Sequence, residues 1–343
     1  MKTPLTLLAI VVFLGGAQVC QADPFPDDPC YAAYQWYGPK LGLPAAWGIS
    51  QGSPSVIAAI LDTGVMANTP DLAGRLLAPL STTGAAPLDG ATDHHGTWVA
   101  GVAAMGVNNG ITGAGVGNFT ILPITVTNAD GGNQSNWIAD GIRLAADQGA
   151  RVINVSHQTL NYPSLDAAAA YARTKGALTF VAGGNANQRL PMKAYDNLVF
   201  VAGTNAEDQR WSDPVTKKGS TWGPFIDLSA PADDILVADP TFSSGYGLGD
   251  GTSFAAPLAA GAAALVWSIA PSLTPDEVQN ILYTTADDLG DPGWDEVYGW
   301  GRLNIGTAAE RAYEMSVAPE PGTLLLVAAG LAASLARRQR RRP

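Results

Sequence analysis

Hydrophobic residues cluster in six short runs along the middle of the chain. The runs are apolar almost throughout and show little alternation with polar positions, which is typical of strands buried on both faces of a sheet. The predicted strands are residues 55–61, 120–126, 151–156, 178–182, 198–202 and 225–228.

Longer segments with a helical character lie between and after these runs. The predicted helices are residues 96–104, 137–148, 165–174, 253–269 and 275–284. Strands that alternate with helices predict an α/β fold of three layers, with a mostly parallel central sheet and helices on both faces. Because no repeat and no linker rich in Pro or Ser interrupts residues 23–315, we expect them to form one domain.

The composition supports a folded body and excludes one class of partner. Of the 343 residues, 47% are hydrophobic and only 14% are charged, which argues against a largely disordered chain. The 19 Lys and Arg residues are outnumbered by 30 Asp and Glu residues, and the formal net charge is −11. A chain this acidic is not expected to bind nucleic acid.

Residues 1–22 have the pattern of a secretory signal peptide. A single Lys precedes an apolar run over residues 5–12, and small residues lead to Ala22. The alternative is a membrane anchor, but the run is short for a membrane span. Cleavage after Ala22 would leave Cys30 as a lone thiol, whereas cleavage after Ala17 would permit a Cys20–Cys30 disulfide. Both possibilities remain open on the sequence.

Residues 316–343 form a tail of three parts. Pro319-Glu320-Pro321 is followed by an apolar stretch over residues 323–336, and five arginines lie within the last seven residues. The stretch has no polar face, unlike the helices of a soluble protein, and the arginines favour retention in the membrane. The tail resembles the Pro-Glu-Pro (PEP-CTERM) sorting signal of Gram-negative envelope proteins. The resemblance implies an exosortase-type processing enzyme as a partner and a transient transmembrane anchor.

Asp62 is the first candidate for catalytic chemistry. It ends the first apolar run and is followed by Thr63 and Gly64. A carboxylate at the C-terminal end of a buried parallel strand lies where ligand crevices form in such sheets. Asp-Thr-Gly also occurs in aspartic proteases, which need a second copy that this sequence does not have. The other alternative is a residue that only caps a turn.

Histidine is scarce in this chain and is the usual base for activating a hydroxyl group. The three histidines are His94, His95 and His157. His95 is followed by a Gly-Thr turn into an apolar helix, so its imidazole is expected at a helix N-terminus. A single histidine in such a place is also consistent with a purely structural role.

Ser253 and Asn185 are the remaining candidates. Ser253 follows Gly249 and Gly251 at the start of a helix of small residues, where backbone N–H groups favour negative charge. Asn185 follows two glycines at the end of a predicted buried strand, and its amide could donate to an oxyanion. Taken one at a time, these residues could equally be a helix cap and a turn asparagine.

Together the four elements resemble the subtilisin-like serine proteases (subtilases), closest to their thermitase-like branch. The order Asp, His, Asn, Ser is that family's order, and Gly-Thr-Ser-Phe-Ala-Ala-Pro surrounds Ser253. The resemblance implies that Ser253 is the nucleophile, that His95 accepts its proton and that Asp62 orients His95. It also implies that Asn185 and the backbone N–H of Ser253 form the oxyanion hole. His94 is the rival base, one residue too early for the family motif.

The resemblance further implies that an extended substrate lies between two backbone segments. The implied substrate-binding residues are Gly131, Gly132, Asn133, Ser156, Gly183 and Gly184. The chain departs from the family at Ser156-His157-Gln158, where subtilases usually have Ser-Leu-Gly. Loss of the glycine places a side chain near the primary specificity pocket, so the preference of that pocket stays open, and His157 is expected only to form part of its wall.

A structural calcium ion is also implied by the resemblance. Oxygen ligands from carboxylates, an amide and carbonyl groups suit this hard cation. The implied ligands are Asp28, Asp71, Val107, Asn109, Ile111 and Gly113. The alternative is an ordinary Asn-Asn-Gly turn without an ion.

We therefore expect an exported, monomeric serine endopeptidase that cleaves polypeptide substrates through a Ser-His-Asp triad and an acyl-enzyme intermediate. No catalytic cofactor is expected. The alternative is a catalytically silent subtilase fold that serves as a surface binding module. The short segment between Ala22 and Ser55 leaves little room for the prodomain of secreted subtilases, so folding is expected to proceed without one or with help in trans.

Overall fold

A computed structural model describes residues 26–90, 92–157 and 162–317. Seven strands form one parallel sheet in the order β2-β3-β1-β4-β5-β6-β7, and β8 and β9 form a separate antiparallel hairpin. The strands are β1 Ile57–Asp62, β2 Leu80–Ser81, β3 Thr120–Thr125, β4 Val152–Val155, β5 Leu178–Ala182, β6 Leu198–Thr204, β7 Leu228–Pro231, β8 Ile235–Ala238 and β9 Tyr246–Gly249.

Helices cover both faces of the sheet, which confirms the predicted α/β class. The helices are α1 Tyr31–Tyr34, α2 Tyr37–Lys40, α3 Leu43–Ile49, α4 His95–Ala104, α5 Ser135–Asp147, α6 Tyr162–Thr174, α7 Thr252–Ile269, α8 Pro275–Thr284 and α9 Ile305–Val317, together with a 3-10 turn at Pro70–Leu72. Strand β1 lies between β3 and β4. After β1 the chain first forms β2 and β3 on one side of it and then crosses over to form β4 on the other side. Such a reversal opens a crevice at the carboxyl ends of the strands.

The β1 strand shows how the apolar runs build two cores. Ala58 and Ile60 point toward the core beneath α4 and α7, whereas Ala59 and Leu61 point toward the core beneath α5 and α6. Successive side chains of a strand face opposite sides of the sheet, so a strand covered on both sides must be apolar at every position.

Helix α7 occupies the centre of the first core. Among the described residues it is the one helix long and apolar enough to cross a membrane, but 83% of it is buried inside the domain. Its small side chains permit close approach of neighbouring segments, since a Cβ at Gly261 would lie 2.6 Å from Cβ of Val116. The helix is therefore the core helix of the domain.

The prediction of a strand at residues 225–228 is wrong in position, because the observed strand begins three residues later. The β7 strand begins at Leu228 and continues to Pro231. A turn closed by the N–H of Ile226 on the carbonyl of Gly223 precedes it, and Phe225 and Ile226 are buried in the core beneath α5 and α6. These two side chains are apolar because they fill the core from a turn.

Other segments differ from expectation in extent. The sequence does not predict helices α1–α3 and α9 or strands β2, β8 and β9. The bounds of β5 and α8 are as predicted, and the ends of the other elements differ by at most three residues. The predicted signal peptide, Cys20, Gln158 and the tail after Val317 lie outside the described residues. Within the described part of the chain Cys30 has no disulfide partner, and it lies beside Tyr246.

Candidate active site

Asp62 and His95 meet where β1 ends and α4 begins. Nδ1 of His95 lies 2.8 Å from Oδ1 of Asp62. A Cβ at Gly96 would overlap the carbonyl oxygen of Gly64, so glycine at position 96 lets the helix approach the end of the strand. The N–H of Gly96 also donates to the hydroxyl of Thr63 at 3.0 Å. The Asp-Thr-Gly and His-Gly motifs thus fit directly against each other.

The pKa shifts of Asp62 and His95 indicate which charged forms the two side chains favour. Burial by itself would raise the pKa of Asp62, but the facing imidazoles of His95 and His157 more than offset that effect and lower the pKa. The pKa of His95 is raised, because the attraction of Asp62 outweighs the opposing effect of burial. Asp62 therefore remains a carboxylate, and His95 is stabilised when it carries a proton. A carboxylate placed in this way stabilises the charged imidazole that forms when a neutral histidine accepts a proton.

Ser253 lies in the first turn of α7, and the residue after it packs near the His95 imidazole. The ring of the next residue, Phe254, is 6.1 Å from the His95 ring between centroids. The Ser253 hydroxyl donates to the carbonyl oxygen of Ser156 at 3.2 Å, and the Ser156 hydroxyl donates to the Ser253 carbonyl at 2.8 Å. Ser253 is thus held against the end of the neighbouring strand β4, and among the described residues no hydrogen bond joins its hydroxyl to His95.

Asn185 is oriented by a residue that the sequence reasoning missed. Its Oδ1 accepts hydrogen bonds from the backbone N–H of Thr252 at 2.9 Å and from the Thr252 hydroxyl at 2.8 Å. This leaves Nδ2 as a free donor, and a Cβ at Gly251 would lie only 3.0 Å from it. Gly251 also has φ 136°, a conformation that favours glycine. The sequence feature that could have indicated this role of Thr252 is its position directly before Ser253.

His94 lies in a different environment from His95. Its Nδ1 is 3.1 Å from Oδ2 of Asp239, a carboxylate that also accepts from the indole N–H of Trp98 at 2.7 Å. Among the described residues, Asp62 is contacted by His95 and His157 and not by His94. The structure therefore brings His95, and not His94, to the carboxylate at the end of β1.

His157 makes a contact that the sequence reasoning did not identify. Its Nε2 lies 3.1 Å from Oδ1 of Asp62, and its ring is 5.3 Å from the His95 ring between centroids. Leu61 pairs with Val155 in the sheet, so the chain that leaves β4 passes directly beside Asp62. This register is the physical reason for the contact, and no local sequence motif signals it.

The segments expected to bind substrate lie around this cluster. Residues 131–133 complete a turn that begins at Asn128, where the N–H of Gly131 donates to the carbonyl of Asn128 at 3.0 Å and the N–H of Asn128 donates to the carbonyl of Gly132 at 2.8 Å. An open groove separates this turn from the start of α4. Gly183 and Gly184 follow β5, where a Cβ at Gly183 would lie 2.9 Å from the carbonyl oxygen of Val201. Ser156 follows β4 and exchanges hydrogen bonds with Ser253.

The residues expected to bind calcium come from three separate parts of the chain. Asp28 accepts hydrogen bonds from the N–H groups of Asn108 and Asn109 at 3.0 and 3.1 Å, and Asp71 accepts from Nδ2 of Asn109 at 2.8 Å. Val107, Ile111 and Gly113 lie in the same loop, between α4 and β3.

The chemistry of this loop fits a hard cation. Asp28 and Asp71 are 3% and 2% exposed, and Oδ2 of Asp71 is buried without a hydrogen bond of normal geometry. Burial raises the pKa of both carboxyl groups, and their mutual repulsion raises that of Asp71 further. A cation would relieve both effects, with the Asn109 amide rotated so that its oxygen replaces the nitrogen.

Comparison with known proteins gives a consistent result over the whole body of the chain. Residues 53–301 match the model of the subtilase family, and residues 317–342 match the PEP-CTERM protein-sorting motif. Thermitase of Thermoactinomyces vulgaris is 36% identical over 292 residues, which cover 83% of this chain and 99% of thermitase. The halolysin-like extracellular serine protease Nep of Natrialba magadii is 33% identical over 292 residues, or 81% of this chain and 52% of Nep.

Solved structures resemble the fold over a similar range. A lanthipeptide protease superimposes with a TM-score of 0.71 and 25% identity, covering 84% of this chain and 98% of the other. A protease of Pseudoalteromonas arctica PAMC 21717 also has a TM-score of 0.71, with 27% identity and 84% and 99% coverage. The similarity to solved structures therefore covers most of the chain, and the match to the subtilase model includes Asp62, His95, Asn185 and Ser253.

Proposed function

The chain belongs to the subtilase family and is a serine-type endopeptidase, and on that premise we propose that Asp62, His95 and Ser253 form its catalytic triad. The observation that carries the proposal is the 2.8 Å hydrogen bond between Nδ1 of His95 and Oδ1 of Asp62, and Phe254, the residue after Ser253, packs near the same imidazole. A serine hydroxyl is a weak nucleophile until a positioned base removes its proton.

The proposed reaction begins when Ser253 turns from the Ser156 carbonyl toward Nε2 of His95. As Oγ attacks the scissile carbonyl, Nε2 accepts the hydroxyl proton and later returns it to the leaving amine. Asp62 holds the imidazole in the tautomer with its proton on Nδ1 and stabilises the charged form. Water then releases the acyl group from Ser253 by the same proton transfers in reverse.

Asn185 and the backbone N–H of Ser253 are proposed to bind the oxyanion. The support is the pair of hydrogen bonds that Thr252 donates to Oδ1 of Asn185, since they fix the amide with Nδ2 as the free donor. A donor held in place before the reaction stabilises developing charge without the cost of reorientation. Thr252 is therefore a positioning residue.

A polypeptide substrate is proposed to bind in extended form across the crevice. It would add a strand to the backbone at residues 131–133 on one side and at Ser156 on the other, with Gly183 and Gly184 at the primary specificity pocket. The groove between the 131–133 turn and α4 supports this path. The residues proposed to bind substrate are Gly131, Gly132, Asn133, Ser156, Gly183 and Gly184.

One structural calcium ion is proposed in the loop after α4. The donors would be the carboxylates of Asp28 and Asp71, the amide oxygen of Asn109 and the carbonyl groups of the loop at Val107, Ile111 and Gly113. The orphaned Oδ2 of Asp71 and the high pKa of two buried carboxyl groups support the site. When bound, the ion would supply charge neutralisation and a link between distant segments.

The chain is proposed to be exported and to act as a monomer at the cell envelope or outside the cell. Residues 1–22 would be a signal peptide, residues 23–315 the peptidase domain and residues 316–343 a sorting signal with a transient transmembrane segment. The PEP-CTERM match supports processing by an exosortase-type enzyme, and the extracellular relative supports export.

A fluorophosphonate probe, which reacts covalently with activated serines, tests the triad. The calcium-supplemented chain should be labelled, and Ser253→Ala should lose both the label and about 10⁶-fold of kcat on a peptide substrate. Ser268→Ala is the matched control, because Ser268 lies in the same helix and donates only to the carbonyl of Ala264. It should keep both label and turnover.

The same experiment separates an active enzyme from a silent binding module. A folded, calcium-supplemented chain that takes no label and cleaves no member of a peptide library would refute the proposed triad. The Ser253 hydroxyl would then have no catalytic role, and its hydrogen bond to the Ser156 carbonyl would be purely structural.

A further inference from the structure

Three potential metal ligands converge beside the nucleophile. One ligand atom each from Asp62, His95 and His157 lies within 4.8 Å of the other two. The carboxylate oxygen Oδ1 of Asp62 is 2.8 Å from Nδ1 of His95 and 3.1 Å from Nε2 of His157. A catalytic triad needs only the first of these two contacts. The second imidazole turns the end of β1 into a site with two nitrogen donors and one carboxylate.

Among the described residues, two polar atoms of this cluster have no hydrogen-bond partner of normal geometry. Oδ2 of Asp62 belongs to a side chain that is 1% exposed, yet it accepts no hydrogen bond. Nε2 of His157 is also buried and makes no hydrogen bond of normal geometry, in spite of its 3.1 Å contact with Asp62. Buried polar atoms without partners are costly, and a cation bound by both oxygens of the Asp62 carboxylate and by Nε2 of His157 would satisfy both atoms.

We propose that Asp62, His95 and His157 form a reversible binding site for Zn²⁺ that inhibits the protease. Imidazole nitrogens and a carboxylate suit Zn²⁺ and similar transition ions, whereas Ca²⁺ prefers oxygen ligands alone. Ligands about 2.0–2.1 Å from a tetrahedral zinc lie about 3.3 Å from one another. The two observed contacts would therefore open by only a few tenths of an ångström.

The tautomer of His95 explains why binding would inhibit. In the proposed triad the proton on Nδ1 faces Asp62, and Nε2 offers the lone pair that accepts the Ser253 proton. Zn²⁺ on Nδ1 would move the proton of the neutral ring to Nε2. His95 would then have no lone pair for Ser253, and Asp62 would be occupied by the metal. This effect on activity rests on the proposed function, whereas the binding itself does not.

The ion can reach the site from the substrate crevice. The side chains of His95 and His157 are 23% and 15% exposed, whereas Asp62 lies beneath them. A bound polypeptide would cover the same opening. Inhibition should therefore weaken as the substrate concentration rises, as expected for competition between metal and substrate.

Binding is tested without catalysis in the Ser253→Ala chain, which removes self-digestion and no ligand. Isothermal titration calorimetry with Zn²⁺ in excess calcium should show one ion per chain, and Co²⁺ should give the visible absorption of a tetrahedral site. His157→Leu should weaken Zn²⁺ binding at least about 100-fold. His94→Leu is the matched control and should keep the affinity, because His94 pairs with Asp239 outside the cluster. His157→Gln replaces His157→Leu if the latter does not fold.

Activity is then measured in the chain with Ser253 intact, again in excess calcium. Saturating Zn²⁺ should lower peptide hydrolysis at least about tenfold, and a chelator selective for transition metals should restore it. His157→Leu should lose this sensitivity to Zn²⁺. Binding that survives His157→Leu, or that disappears in His94→Leu, would overturn the proposed site. Absence of hydrolysis before any Zn²⁺ is added would instead count against the triad.

Discussion

Asp227 is a carboxyl group that lies apart from the catalytic cluster and faces a mainly apolar environment. Burial raises its pKa to about 7, although the backbone N–H of Phe200 and the hydroxyl of Tyr283 donate to it and favour the charged form. In an unfolded chain the pKa of an aspartate is about 4. The folded chain therefore binds this proton more tightly than the unfolded chain does. The stability linked to Asp227 is fully present below about pH 4 and is lost as the pH rises through about 7.

Asp227→Asn should remove this pH dependence. Asparagine keeps an oxygen that can accept from Phe200 and carries no charge to desolvate. We expect the free energy of unfolding to increase more at pH 8 than at pH 5, with a difference of about 2 kcal/mol after allowance for the partial exposure of the residue. Denaturant titrations of the Ser253→Ala chain at the two pH values measure it.

Asp291→Asn is the control for this prediction, because Asp291 lies exposed in the loop before β-turn residues 295–298. It should change stability by a similar small amount at both pH values. An equal effect of Asp227→Asn at pH 5 and pH 8 would show that Asp227 does not hold a proton in the folded chain.

At the scale of elements, the approach of α4 to β1 decides the catalytic geometry. Gly96→Ala should push α4 from the strand, because the added Cβ overlaps the carbonyl oxygen of Gly64 and comes within 3.0 Å of the Asp62 Cβ. We expect kcat to fall by at least about 100-fold, since a displacement of about 1 Å costs that much. Peptide hydrolysis and the thermal midpoint are measured together.

Gly48→Ala in α3 is the matched control for Gly96→Ala. Gly48 also lies in a helix, but a Cβ there meets nothing within 4 Å. Alanine favours a helix over glycine by about 1 kcal/mol, so Gly48→Ala should keep activity and slightly raise stability. Similar kinetics in the two variants would mean that α4 tolerates a wider separation from β1.

The sequence predicted elements where periodicity or apolar length is unambiguous. Five of the six predicted strands overlap the observed ones closely, because strands covered on both faces must be continuously apolar. Helices α1 and α2 have four residues each, too few to display a helical period. The order of the strands in the sheet could not be predicted either, because the hydrophobic pattern identifies a strand but not the strands beside it. The contact between His157 and Asp62 depends on that order and could not be predicted for the same reason.

At the scale of the whole molecule, one loop joins segments that are far apart in sequence. The N-terminal residues Asp27 and Asp28 are hydrogen-bonded to the loop at residues 108–110, and the N–H of Cys30 donates to the carbonyl of Thr112 at 2.7 Å. Asp71 reaches the same loop from the 3-10 turn. A calcium ion at this point would connect the N-terminal segment, the turn and the connection between α4 and β3.

Removal of calcium should therefore lower the thermal midpoint of the domain. At a calcium concentration about 100 times the dissociation constant, binding contributes about 2.7 kcal/mol, which corresponds to a midpoint shift of about 5–10 °C. Asp71→Asn should bring the midpoint in calcium down to that of the parent chain in EDTA, and EDTA should then add no further decrease. Melting curves are recorded in the Ser253→Ala background, so that self-digestion does not contribute.

Asp140→Asn is the matched control for Asp71→Asn, because it removes a carboxylate that is not expected to bind the ion. Asp140 lies on the exposed face of α5, where it pairs with Arg143 and contacts no part of the loop. It should leave the response to EDTA intact. The link between the three segments is what makes the effect large, because an ion bound to a single turn would hold only that turn. Identical melting curves of the parent chain in calcium and in EDTA would therefore exclude the ion from the loop.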